Sequence, residues 1–230
     1  MKILAIDTTT DVLGIGIATE DSIIGEYVTN VKKNHAVRVL PAMERLVADC
    51  NLLINDMDKI VVSHGPGSYT GVRIGVTVAK TLAWSLNIPI VGVSSLKLMA
   101  ATARHFQGFI SPLIDARRGN IYTGLYQWKN NKIVEVVEDR HISSEDWVKQ
   151  LKDYKQPVLF IGTDGQLHKE LINSHLAQLA SFSEITENIP RPGELALLGK
   201  DMKGENVHTF VPNYLRLAEA EAKWREKTGI

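Results

Sequence analysis

The sequence predicts an α/β fold of two lobes facing a cleft, the second lobe a degenerate form of the first. Three observations lead there. Three short apolar strands run in succession before the first helical pattern. A glycine-rich turn, GPGSYTGVRIG at 65–75, leads from a β-branched run straight into a long helix. The order of strands and helices then starts again after residue 104.

Residues 3–10, ILAIDTTT, form an apolar strand that ends on Asp7 and the hydroxyls of Thr8, Thr9 and Thr10. Residues 12–19 alternate apolar positions with glycine, and 22–30 are richer in β-branched residues, so the three runs make a meander. A strand, an Asp-Thr turn and a second strand is the form of the first phosphate loop in actin-like ATPases and sugar kinases. On the alternative reading, Asp7 is a turn residue whose carboxylate caps local backbone. The next predicted helix, 35–50, gathers Val39, Leu40, Met43, Leu46, Val47 and Cys50 in one apolar stripe opposite Arg38, Arg45 and Asp49, so one face is buried. A strand at 59–63 precedes the glycine turn. A helix covers 70–86, a strand 88–93, and a short helix starts at Ser94.

That β-β-β-α-β-α order opens a ribonuclease-H-like fold. Strands at 109–115, 121–128 and 133–140, a helix at 143–151, a strand at 157–162 and a helix at 164–180 repeat it without a sequence repeat. Residues 189–193 form a proline-rich joint, with a helix at 194–203 beyond. The predicted units are a first lobe, 1–103, which carries the partner-binding helices, a smaller second lobe, 104–190, and a C-terminal helix and tail, 191–230, returning to the first lobe. Two such lobes describe an actin-like protein.

In the glycine turn, Gly65 and Gly67 flank Pro66, and the next free N–H groups belong to the first turn of a helix, a natural anion site. The alternative is a connection whose glycines serve packing. A Walker loop requires Gly-Lys followed by Ser or Thr, whereas Tyr69, Thr70, Gly71 and Val72 stand at the helix start. A dinucleotide fingerprint requires an acidic residue about 20 positions on, and the following strand ends in Ser94 and Ser95. Ser68 sits in no nucleophile elbow and reads as a helix N-cap, together with Thr70.

Within 70–86, Gly71, Gly75, Ala79 and Ala83 recur every four residues, a small-residue ridge that admits a neighbouring backbone. The polar remainder is a narrow stripe of Arg73, Thr77, Lys80 and Trp84. Tryptophan and arginine are enriched at interfaces, which makes this stripe the first partner-binding candidate. The alternative is that Trp84 folds back onto its own domain.

The 230 residues, 44% hydrophobic, suit a well-packed soluble protein of one large or two small domains. With 26 basic residues against 26 acidic ones the net charge is zero. A protein that grips nucleic acid unaided shows a basic excess, so RNA contact is expected only with a partner. Cys50 has no second cysteine to bridge, and Asp7 cuts the opening apolar run before it could serve as a signal core. A cytoplasmic protein without a membrane segment is expected.

Four motifs, ILAIDTTT, GPGSYTGVRIG, DARRGNIY at 115–122 and PNYLR at 212–216, stand in the order and approximate spacing of the bacterial TsaB family, also called YeaZ-like. The chain resembles that family over nearly its whole length. The resemblance implies an actin-like (ASKHA) fold. It also implies a non-catalytic scaffold that acts with a TsaD-type catalytic subunit and a TsaE-type ATPase. Together they transfer a threonylcarbamoyl group to N6 of the adenosine beside the tRNA anticodon. Docking is placed on the two first-lobe helices, with Val39, Met43, Leu46, Arg73, Thr77, Lys80 and Trp84 as the interface. The isolated protein is expected to be a homodimer through the same surface.

The catalytic relative carries two metal-binding histidines four apart on the helix matching 35–50, a spacing that sets both on one helical face. Here His35 is followed at that spacing by Val39, and His64, His105, His141, His168, His175 and His208 show no such pairing. The relative's further histidine segment is here Ser94, Ser95 and Leu96. No metal site is expected. IGTDG at 161–165 is the only glycine-bearing strand-to-helix turn of the second half. Asp115 stands where an actin-like protein holds its second carboxylate, which could help bind hydrated magnesium, or it pairs with Arg117 and Arg118 in a structural turn. Asn120 replaces an acidic residue common in the family. The rival to the scaffold is an ATP-using enzyme with Asp7, Thr8, Thr9, Gly65, Gly67, Ser68 and Asp115 around Mg-ATP. A peptidase-like relative comes third. No resident cofactor is expected, with weak Mg-ATP binding left open. In the tail, Glu219 with Lys223 and Glu221 with Arg225 are spaced for a short helix beside Trp224.

Overall fold

The computed structural model describes residues 1–32 and 34–215. The first sheet is built from β1 (Ile3–Asp7), β2 (Val12–Ala18), β3 (Ile23–Asn30), β4 (Lys59–Ser63) and β5 (Ile90–Val93), in the order β3-β2-β1-β4-β5. The meander is antiparallel, while β4 and β5 add in parallel after helical crossovers. Alternation along β1 sends Leu4 and Ile6 toward α1 (Val39–Asp49) and α2 (Tyr69–Leu86), and Ile3 and Ala5 toward α3 (Ser95–Ala101) and the later α6 (Pro192–Gly199). With both faces covered, the inner strands β1 and β4 and the strand β5 are buried along their whole length and are mostly apolar, whereas the edge strand β3 stays partly exposed.

The second lobe repeats the plan. Here β6 (Phe109–Arg117), β7 (Asn120–Lys129), β8 (Lys132–Ser143), β9 (Val158–Ile161) and β10 (Ala180–Phe182) stand in the order β10-β9-β6-β7-β8. Both sheets thus place their third, second, first, fourth and fifth strands side by side, and the duplicated ribonuclease-H-like order is the actin-like fold. One face packs on α4 (Ser144–Asp153) and α5 (Lys169–Leu176). The other face packs on α3, whose Leu96, Met99 and Ala100 join the second lobe while Leu98 joins the first. A seven-residue helix therefore serves as the wedge between the lobes.

Several element bounds differ from expectation for local reasons. The helix expected at 35–50 is a 3-10 turn, His35–Val37, followed by α1, with Pro41 in the first α turn, where its missing N–H costs nothing. The helix expected at 164–180 divides into a 3-10 segment, Thr163–His168, then α5, a second 3-10 turn and strand β10. Ala177, at φ 47°, ends α5. The helix expected at 194–203 runs instead over α6, because Pro192 suits its first turn. Its C-terminal end is held by buried Lys59, whose Nζ donates to the carbonyls of Lys200 and Met202 at 2.5 and 3.0 Å. The helix expected over 217–227 lies outside the described residues.

Candidate functional site

A cleft of about 670 Å³ opens between the lobes, lined among others by Thr9, Thr10, Ser68, Asp115, Arg117 and Asp164. Of the residues expected to cradle a nucleotide, Thr9, Gly67, Ser68 and Asp115 line it, whereas Asp7, Thr8 and Gly65 lie behind the wall. Asp7 is 1% exposed. Its Oδ1 accepts from the N–H and the hydroxyl of Thr9, at 3.0 and 2.7 Å, so the carboxylate caps its own turn. Its Oδ2 is enclosed and faces the buried Ser63 hydroxyl, close enough for that hydroxyl to favour the charged carboxylate but without a well-formed hydrogen bond. The register that pairs Ile6 with Val62 sets these two residues side by side. Burial pushes the Asp7 carboxyl above its ordinary range, against the opposing pull of the Thr9 hydrogen bonds.

The glycine turn closes on the Asp-Thr turn. Ser68 N–H donates to the Thr9 carbonyl at 2.8 Å, and Thr8 Oγ1 donates to the Gly71 carbonyl at 2.7 Å. A Cβ on Gly67 would overlap the Thr9 carbonyl oxygen, and one on Gly75 would lie 2.5 Å from the Thr8 hydroxyl. Both glycines admit the Asp-Thr turn of the same chain, Gly67 its backbone and Gly75 the Thr8 side chain, which is the packing role of the two alternatives. Ser68 caps α2, its Oγ accepting from Gly71 N–H at 3.3 Å. Ser95 N–H donates to the Gly65 carbonyl at 3.0 Å and its hydroxyl donates to the Pro66 carbonyl, which fastens the turn to α3.

The second lobe fills the matching position with its own carboxylate. Asp164 Oδ2 accepts from Asp115 N–H at 2.9 Å, and Asp115 Oδ1 meets His168 Nε2 at 3.3 Å. His168 is thus one partner of the Asp115 carboxylate. Both arginines take left-handed backbone, φ 67° and 56°, at the tip of the β6–β7 hairpin. The Asn120 amide donates to both arginine carbonyls, at 3.4 and 3.3 Å, a bond an ionised acid at this position could not give. Among the described residues no group of three or more His, Cys, Asp or Glu side chains is arranged to hold a metal. No described helix is long and apolar enough to cross a membrane.

The first-lobe helices divide the residues expected at the interface between core and surface. Val39, Met43 and Leu46 are buried in the core beneath β2, Val39 also forming part of the wall of the α1–α2 groove. Leu40, assigned above to the buried stripe, is exposed instead. Trp84 is 65% exposed and does not fold back. Arg73 and Thr77 are exposed on the same helix, and Lys80 is engaged with the Phe210 carbonyl at 2.7 Å. Ala36, Leu40, Tyr69, Arg73, Ile74 and Thr77 line an apolar surface groove of about 480 Å³ between α1 and α2. Leu40 and Tyr69, which line this groove, were not among the residues expected at the interface. Tyr69 was detectable, since it stands one helical turn before Arg73 in the polar stripe.

Over residues 22–224 the sequence matches the family model described as TsaD, tRNA N6-adenosine threonylcarbamoyltransferase. It is 55% identical over 226 residues to the tRNA threonylcarbamoyladenosine biosynthesis protein TsaB of Bacillus subtilis strain 168, covering 98% of this chain and 99% of that one. A protein of the same name from Escherichia coli K12 is 35% identical over 135 residues, 58% of each chain. The fold is similar to the crystal structure of an uncharacterized protein with similarity to peptidase YEAZ from Pseudomonas aeruginosa. The TM-score there is 0.81 at 25% identity, over 94% of this chain and 99% of that one. On this match of sequence and fold, the chain belongs to the TsaB (YeaZ-like) family.

Proposed function

We propose that this protein is a non-catalytic scaffold in tRNA threonylcarbamoyladenosine biosynthesis, one that docks onto a TsaD-type catalytic subunit and works with a TsaE-type ATPase. One observation supports the non-catalytic part. In each of the two loops that an ATP-using relative would turn to phosphates a backbone N–H is already engaged, that of Ser68 by the Thr9 carbonyl and that of Asp115 by the Asp164 carboxylate. The docking surface is the face of α1 and α2 around Val37, Leu40, Tyr69, Arg73, Thr77 and Trp84, an exposed apolar and aromatic strip with a cation. The same strip pairs two copies when the partner is absent. A neutral net charge suits contact with tRNA made jointly with the partner in the cytoplasm.

Purification with and without the TsaD-type and TsaE-type subunits tests this. The isolated protein is expected neither to hydrolyse ATP nor to modify tRNA, and to be required for modification by the full set. Robust ATP turnover by the isolated chain, abolished in Asp7→Ala, would establish the enzyme instead.

A further inference from the structure

Two of the four motifs, GPGSYTGVRIG and PNYLR, meet in space. Residues 205–214 form a strap along the first lobe. Glu205 N–H donates to the Ile90 carbonyl at 2.8 Å, and Phe210 is buried in the core that α2 covers. Asn213 N–H donates to the His64 carbonyl at 2.8 Å. The Asn213 carbonyl lies 2.6 Å from where a Cβ on Gly65 would stand, at φ 112°. The strap then surfaces. Tyr214 stacks on Tyr69 with ring centroids 5.1 Å and planes 26° apart, and Arg73 lies 5.3 Å over the Tyr69 ring while donating to its hydroxyl at 2.8 Å. Tyr69 and Arg73 line the α1–α2 groove, and Val211 and Tyr214 are 66% and 42% exposed.

We propose that Val211 and Tyr214 are the second half of the docking face, so that a partner seated in the α1–α2 groove also closes on the strap. This rests on the scaffold reading above, and the occupant is the TsaD-type subunit. The apolar groove with Arg73 on its wall fits an apolar helical surface that carries a carboxylate. A second copy would fit less well, because a two-fold axis through this face brings one Arg73 toward the other. Tyr214 is held by stacking before any partner arrives, so little side-chain freedom is lost when it is covered.

The test measures binding of the full chain to the TsaD-type subunit by calorimetry, with hydrogen exchange over residues 206–214. Tyr214→Ala is expected to raise Kd about tenfold or more, the range of an interface anchor, while Tyr214→Phe, which keeps the stack, binds as the wild type does. The exposed Val211→Asp gives an arm independent of folding and is expected to weaken binding likewise. Exchange over 206–214 should slow in the complex. Wild-type affinity in both Tyr214→Ala and Val211→Asp overturns the proposal, as does weakening of self-association alone. A wild-type chain that does not bind the TsaD-type subunit at all overturns the scaffold reading, and this proposal with it.

Discussion

Thr8 and Gly71 are locked together: the threonine hydroxyl donates to the Gly71 carbonyl at 2.7 Å, and a Cβ on Gly71 would overlap the Thr8 carbonyl oxygen. The start of α2 is therefore seated on the β1–β2 turn at backbone contact. Gly71→Ala places a methyl group against backbone that has little room to move. Such overpacking costs about 1–3 kcal/mol. Chemical denaturation should show that loss, while Thr77→Ala, an exposed change on the same helix, stays within about 0.5 kcal/mol. Equal stability of Gly71→Ala and the wild type would mean the two turns are not mechanically coupled.

Asp7 gives a pH prediction with a definite sign. Its carboxyl pKa is raised by burial above the ordinary 3.8, so the native state keeps a proton that the unfolded chain releases at lower pH. Its contribution to stability is complete below the unfolded value and is lost as pH rises through the raised native value. In Asp7→Asn the amide oxygen can still accept from Thr9, and the amide N–H can donate toward the enclosed Ser63 hydroxyl. The variant is expected to match or exceed wild-type stability at pH 7, with the difference vanishing near pH 4. Thermal melts across that range check it, and a steep loss of stability of the variant at pH 7 would contradict a raised Asp7 pKa. Modification activity of the full complex should survive the change.

How much of this was legible in sequence follows from the range of the interactions. The meander and the glycine turn were readable because period-two alternation and glycine at a tight turn are local signals. Strand β10 was not, because three residues gain strand geometry only by pairing in parallel with β9. The run at 164–180 keeps a helical apolar spacing through Leu167, Leu171 and Leu176, and nothing in that spacing announces that Ala177 turns to positive φ. In α1, periodicity found an apolar face but placed Leu40 on the wrong side of its edge and offered Val39, Met43 and Leu46 both to the core and to a partner. The exposed Trp84 was legible because it interrupts a polar stripe. The stack of Tyr69 on Tyr214 was not, since it joins distant segments that only the folded strap brings together.

Asp139 fastens the lobes. Its two oxygens accept from the hydroxyls of Tyr126 and Ser94, the second being the N-cap of the wedge helix α3. Burial raises the Asp139 carboxyl and, with the adjacent Asp139 charge, the Tyr126 phenol as well. Asp139→Ala leaves both hydroxyls without this acceptor, a loss of about 1–3 kcal/mol. Hydrogen exchange should rise around α3 and β7 together if this contact joins the lobes. An increase confined to β8 would show that it is only a local brace.

Trp84 and Arg73 test the docking face itself. Both side chains are exposed in the free protein, so their replacement removes little that holds the fold and is expected to shift stability by no more than about 0.5 kcal/mol. At an interface the same changes act strongly. Loss of a tryptophan anchor costs roughly 2 kcal/mol or more, and Arg73→Glu reverses the charge on the groove wall. The double variant Trp84→Ala, Arg73→Glu is thus expected to stay folded, to sediment as a monomer against a wild-type dimer expected under the proposal, and to bind the TsaD-type subunit at least about thirtyfold more weakly, as 2 kcal/mol implies. If one face serves both assemblies, as proposed, rising concentrations of the TsaD-type subunit should dissociate wild-type homodimers. A double variant that remains dimeric and binds with unchanged affinity would place the interface on another part of the molecule, leaving Trp84 an exposed residue without a partner.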